Sequence, residues 1–172
     1  GVSHSMVSEI KSDLDRIRRK LIRLDELTYL DNKVTGFENH LWLVSSSDFN
    51  GNPQQFEIEL DEFIKEVEDR KPLNSHFRFA FLGVPPIFTD IYDYLLEMNS
   101  NVVFNEIQRQ FSMPYLEPDI VDQYLRFTYP YSVFNRISDV QQQLSLRKID
   151  GVISYVQSFC HRQIDNILLK KN

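Results

Sequence analysis

The sequence predicts an α/β fold: a partial Rossmann-like parallel sheet of about three strands, preceded by an N-terminal helical segment. Three observations carry this reading. Short apolar runs at residues 77–82, 102–104 and 149–156 have the length and the polar borders of strands. Between them lie longer stretches whose apolar residues recur at helical spacing. The resulting order of strand, helix, strand, helices, strand, helix needs crossover connections, and so implies parallel strands joined in the right-handed sense.

The helical segment is legible element by element. From Ile10 onward the apolar positions Ile10, Leu14, Ile17, Leu21 and Leu24 alternate steps of four and three, one stripe along a helix. Thr35-Gly36-Phe37-Glu38 is a capping box, in which Thr35 and Glu38 satisfy each other's free amides, so a second helix starts there and stops near Asn50-Gly51. Asn52-Pro53 pairs a capping side chain with a proline in the first turn and opens a third helix. Its face is Phe56, Leu60, Phe63, Ile64 and Val67, and Pro72 ends it. Residues 1–6 resemble a cloning scar and are set aside, so the segments are 7–75, helical, and 76–172, a Rossmann-like half-domain.

In the second segment Phe77-Arg78-Phe79-Ala80-Phe81-Leu82 reads as a strand buried on both faces, stopping at Gly83. Gly83-Val84-Pro85-Pro86 turns into a helical stretch through Ile87, Ile91, Leu95 and Met98. Val102-Val103-Phe104 forms the next strand, and residues 107–118, which lack periodicity and hold Pro114 and Pro118, read as an ordered loop. Helical pieces at 119–127 and 131–147 precede a buried third strand, and a last helix runs from about His161 to Leu169. The expected strand order places the first strand between the other two. The chain then reverses direction between the loops after Leu82 and Val156, the switch point at which open α/β sheets bind ligands.

Composition narrows the function. A net charge of −6 argues against a nucleic-acid partner. The basic residues of the first helix face an acidic third helix, which makes charge pairing within the chain the simpler reading. No apolar run approaches the roughly 20 residues of a membrane span, and one cysteine excludes a disulfide framework and fits a reducing cytoplasm. No pair of histidines has metal-ligand spacing, and no Ser, His and Asp arrangement specifies a hydrolase.

The candidate site gathers at the carboxyl ends of the strands. Cys160 follows the third strand; it is either a packed small residue or one ligand of a site completed elsewhere. Gly83 and Pro85 belong to a rigid turn that walls a pocket rather than a phosphate loop, since the prolines remove amide donors. Asn105 and Glu106 end the second strand on the same rim, as ligand contacts or as a solvated strand end. Arg109 offers a contact to a phosphate or carboxylate, and His161-Arg162 either binds an anion or caps the last helix.

Taken in succession, several segments resemble the 2-hydroxyacyl-CoA dehydratase D-component family, which includes benzoyl-CoA reductase subunits and double-cubane cluster proteins. They are Phe81-Leu82-Gly83-Val84-Pro85-Pro86, Val102-Val103-Phe104-Asn105-Glu106, Arg109-Gln110-Phe111-Ser112-Met113-Pro114, Tyr129-Pro130-Tyr131, and Ile149-Asp150-Gly151-Val152-Ile153 through Phe159-Cys160-His161-Arg162. The resemblance implies Rossmann-like domains with helical additions and an iron–sulfur cluster held between domains. It also implies a second dehydratase subunit, an ATP-dependent activator protein that delivers an electron, an acyl-CoA substrate and an anaerobic metabolism. By the same resemblance Cys160 matches a cluster ligand in the intact protein; the rim residues Gly83, Pro85, Asn105, Glu106 and Arg109 are then the candidate substrate-binding residues. Many members carry Asp-Pro after this cysteine, where this chain has His161-Arg162. The family's other ligating cysteines have no counterpart here. The chain is therefore expected to be part of a larger subunit, to hold no cluster alone and to catalyse nothing alone.

Overall fold

Local signals start each helix of the first segment. Ser3 accepts the amide of Met6 and opens α1 (His4–Tyr29), which therefore begins inside the six residues set aside above. Thr35 and Glu38 form both arms of the capping box that opens α2 (Gly36–Ser45). A 3-10 turn (Phe49–Gly51) leads to Asn52, which caps α3 (Pro53–Glu68) with proline at its start. The stripe read from the sequence is the buried one: Ile17, Leu21 and Leu24 of α1 meet Leu43, Phe49, Phe56 and Leu60 in a single core. Ile10, at the outer end of that stripe, is exposed. The charged faces pair across the helices, with Arg16 and Lys20 of α1 both on Glu57 of α3. The Arg16 hydrogen bond, with help from Lys20, holds the Glu57 carboxyl down at about 2.

A computed structural model describes residues 1–127, 133–160 and 162–171. Its second segment runs β1 (Phe77–Gly83), α4 (Asp90–Glu97), β2 (Ser100–Asn105), α5 (Glu106–Phe111), α6 (Ile120–Leu125), α7 (Val133–Leu146), β3 (Gly151–Tyr155) and α8 (Arg162–Leu169). The three strands form one parallel sheet in the order β2-β1-β3, as the sequence predicted. Tyr129-Pro130-Tyr131 and His161, singled out in the sequence, lie outside the described residues. Among the described residues no helix is long and apolar enough to cross a membrane.

The sheet is the middle of three layers. Ala80, Leu82 and Phe104 face Val140 and Leu144 of α7 on one side. Phe81, Val102, Tyr92 and Leu95 form the other core, with Phe37 of α2 packed against it. Val102 and Phe104 point to opposite faces because the β1–β2 register slips between Phe79 and Ala80. An extra residue in one strand inverts the side-chain alternation. That residue is Val103, whose carbonyl accepts a hydrogen bond from Arg147 Nη1 at 2.8 Å.

Three expectations are corrected. Residues 106–111 are the helix α5, not part of a loop; its Glu106, Gln108, Arg109 and Gln110 are buried, so no apolar stripe announces it. Strand β1 is enclosed only from Ala80 onward, and Phe77 at its start is exposed. Strand β3, expected to be buried, is an edge strand with alternate residues exposed, because no described strand pairs on its far side.

Candidate functional site

The carboxyl ends of the strands meet as the strand order requires. Gly83 closes β1 opposite Tyr155 of β3. Its φ is +104°, a conformation that L side chains rarely adopt, and an added Cβ would collide with the Tyr155 carbonyl. The glycine thus lets two strand ends approach and turns the chain into Val84-Pro85-Pro86, with Pro86 buried and Pro85 partly covered. Beyond the turn, Ile87 and Phe88 are exposed, and Phe88 sets its ring edge-on against Tyr155.

The Gly83 amide is tied to the second strand's end. It donates to Glu106 Oε2 at 3.0 Å, and the same carboxylate takes Arg136 of α7 in a two-pronged pair, 2.5 Å from Nε and 2.7 Å from Nη2. Both side chains are almost wholly buried. Glu106 is therefore not a solvated strand end. Arg136 in turn faces Asp165 of α8 at 3.8 Å, and Asp165 pairs with Arg162 at 3.2 Å. Gly83, Ile107, Arg136, Val156 and Arg162 enclose a crevice of about 10 Å³, room for a single water.

Asn105 points to the other side of the rim. Its Nδ2 donates to the Gly36 carbonyl and to Asn39 Oδ1, each at 2.9 Å, and its Oδ1 accepts from the Tyr92 hydroxyl at 2.8 Å. Tyr92 and Gln108 both meet His40 Nδ1, at 3.2 and 2.9 Å. Burial pushes the His40 imidazole below its ordinary value and the Tyr92 phenol above its own. Gln108 Oε1 is the one buried side-chain polar atom without a partner among the described residues.

Arg109 is turned inward. Its guanidinium meets Asp139 of α7 at 3.1 Å and the Tyr115 hydroxyl at 3.3 Å, and Tyr115 donates to Asp139 at 2.6 Å. Burial alone would lower the Arg109 guanidinium, yet Asp139 and Tyr115 hold it above its usual value. A ligand anion would have to displace Asp139 to reach it.

Cys160 lies in the turn between β3 and α8 and is half-buried. Phe159 before it has φ +66° and a fully exposed ring. The structure thus brings Gly83, Glu106 and the Cys160 turn to one rim, and places Asn105 and Arg109 in separate polar clusters beneath it. Sequence reasoning missed Arg136 and Asp165. A signal for Arg136 was present, since Arg136, Val140 and Gln143 share one buried stripe of α7, continued by the buried Arg147 just past its end, with polar residues in an apolar register.

An iron–sulfur cluster takes about four protein ligands, thiolates above all. The chain has one cysteine, and among the described residues no three of His, Cys, Asp or Glu gather as a metal site. These residues do not by themselves fit such a cluster.

A helical segment followed by an open, all-parallel three-strand sheet in the order β2-β1-β3, with helices on both faces, defines the class of α/β proteins. The family model described as 2-hydroxyglutaryl-CoA dehydratase, D-component, matches residues 5–172, and the chain belongs to that family. No curated protein and no solved structure matches it. The family makes it a 2-hydroxyacyl-CoA dehydratase-like subunit, one component of a multi-component system.

Proposed function

We propose that this chain acts within a dehydratase that removes water from a 2-hydroxyacyl-CoA by radical chemistry, after ATP-driven electron delivery by an activator protein. The observation that carries the proposal is the convergence of Gly83, Glu106 and the Cys160 turn at the switch point of a chain with this family membership. In this reading Cys160 gives one thiolate to an iron–sulfur cluster whose other ligands lie outside these 172 residues. Gly83, Pro85, Asn105 and Glu106 shape the wall of the acyl-CoA side, and Arg109 holds that wall from beneath through Asp139. A cytoplasmic location, a second subunit and an acyl-CoA partner belong to the same proposal, as does inactivity of the chain by itself. Related reductases of the benzoyl-CoA or double-cubane type would use the same rim.

Anaerobic reconstitution with iron and sulfide tests the cluster assignment. The isolated chain is expected to retain less than stoichiometric iron. Stoichiometric iron and acid-labile sulfide in the 172-residue chain would overturn the incomplete-site reading. In a dehydratase component containing this sequence, Cys160→Ser is expected to lower cluster iron and abolish 2-hydroxyacyl-CoA dehydration, whereas unchanged iron sinks the ligand role.

A second reading, a non-catalytic scaffold or binding domain of the same fold, draws on the ion pairs that already satisfy Glu106 and Arg109 inside the chain. A panel of acyl-CoA thioesters separates binding from scaffolding: a rise in melting temperature marks a binding module, and no shift across the panel marks a scaffold.

A further inference from the structure

A groove between α1 and α6 joins aliphatic walls to a surplus of positive charge. Val7, Ile10 and Leu14 of α1 and Ile120 of α6 line about 210 Å³. Lys11 and Arg18 line the same space, and among the described residues no carboxylate does. We propose that this groove binds a small monocarboxylate with a short aliphatic chain, its carboxylate on Lys11 and Arg18 and its chain against Val7, Ile10, Leu14 and Ile120. None of the rim residues takes part, so the proposal stands apart from the dehydratase reading.

The charge balance carries the proposal. Lys11 is only 7% exposed, a depth that lysine reaches only with partners. Its Nζ donates to Asp15 Oδ2 at 2.5 Å and to the Glu117 carbonyl at 2.6 Å. The partly buried Arg18 donates from Nη1 to the other oxygen of Asp15 at 3.0 Å. Asp15 therefore serves two cations, and one carboxylate cancels one of them. Burial would raise its carboxyl, yet Lys11 and Arg18 hold it below its ordinary value, so the cluster keeps one net positive charge at neutral pH. The Glu117 carboxylate does not make up the difference, since it pairs with Arg126 at 3.0 Å. Donors remain for a ligand: Lys11 spends two of its three and Arg18 one of its five. A cation held partly out of water gains from an anion that also accepts hydrogen bonds.

The walls select the rest of the ligand. Ile10 is more than half exposed, and an aliphatic chain laid beside it would take that surface out of water. The volume is below the range of about 300–1,000 Å³ typical of drug-sized pockets, which limits the chain to a few carbons. One surplus charge suits a monoanion better than a phosphate dianion.

Hexanoate is the probe, titrated into the 172-residue chain while the methyl signals of Val7, Ile10, Leu14 and Ile120 are followed by NMR. These signals are expected to shift together and to saturate. Hexanol, which lacks the charge, and acetate, which lacks the chain, are each expected to bind about five-fold more weakly or worse. Arg18→Gln keeps a donor for Asp15 and removes the surplus charge; it is expected to weaken hexanoate about five-fold with a native circular dichroism spectrum. Arg16→Gln removes the same charge from the same helix but from the Glu57 pair, and is expected to leave the affinity unchanged. Methyl signals that do not saturate, hexanol binding as well as hexanoate, or equal affinity in Arg18→Gln and Arg16→Gln overturns the site. An Arg18→Gln chain that fails to fold is replaced by the parent in rising sodium chloride: hexanoate affinity indifferent to salt likewise overturns it.

Discussion

At the scale of single residues, the buried polar groups separate into those that hold a charge and those that refuse one. His40 belongs to the second kind. Its Nδ1 is met by Tyr92 and Gln108 inside the fold, and burial depresses its pKa. The folded chain therefore keeps the ring neutral at pH values where the unfolded chain, titrating near 6.5, takes up a proton. The unfolded state binding more protons means that stability is full above that value and falls as pH drops through and below it. The slope from this one group is bounded at about 1.4 kcal/mol per pH unit. Urea midpoints at stepped pH between 7.5 and 5 are expected to fall more steeply for the parent than for His40→Gln; equal slopes would remove His40 as the cause. Asp25 is the opposite case. Burial would raise its pKa, but Arg147 more than offsets that and holds it low.

At the scale of elements, what could be read from the sequence was what neighbours along the chain decide. Thr35 and Glu38 stand three residues apart, and Asn52 precedes Pro53, so both helix starts were visible before any tertiary contact was known. Thr35→Ala should cost about 1 kcal/mol, measured as a lower denaturation midpoint, and the loss should be shared by the sheet because Gly36 of the same turn is bonded to Asn101 and Asn105. A midpoint unchanged by the substitution would mean that tertiary contacts alone fix the helix start. Helix α5 was hidden for the converse reason. Its polar side chains are buried against residues about thirty positions away, such as Arg136 for Glu106 and Asp139 for Arg109, and nothing in a six-residue window announces such partners. Strand β3 could be placed but not its exposure, since exposure depends on what pairs beside it. For the site, the rim was legible from strand order, while the inward turn of Arg109 and the Glu106–Arg136 pair were not.

At the scale of the whole molecule, one buried ion pair joins the helical layer to the sheet. Arg147, at the end of α7, reaches Asp25 of α1 with both terminal nitrogens, bonds the Val103 carbonyl, and lies over the rings of Tyr29 and Phe104 at 4.3 and 4.9 Å. Removing one partner strands the other charge, a loss of about 3–5 kcal/mol, whereas replacing both by apolar residues costs far less. Asp25→Ala is expected to unfold the helical segment and the sheet together in a single transition at much lower denaturant. Asp25→Leu with Arg147→Met is expected to recover most of the loss. Two separate transitions would show instead that the segments fold independently.

The free side of β3 bears on how the chain behaves in concentrated solution. Among the described residues no strand pairs with the outer side of β3, and Gly151-Val152-Ile153-Ser154-Tyr155 contains no charge and no proline, the usual guards of such an edge. Val152 stands half-exposed there, beside the apolar groove under α8. Such a border is a template on which another chain can lay a strand, so these five residues are expected to promote self-association of the isolated chain despite its net charge of −6. Sedimentation at increasing concentration is expected to show self-association that Val152→Lys suppresses while the melting temperature holds; association indifferent to that lysine would place the sticking surface elsewhere.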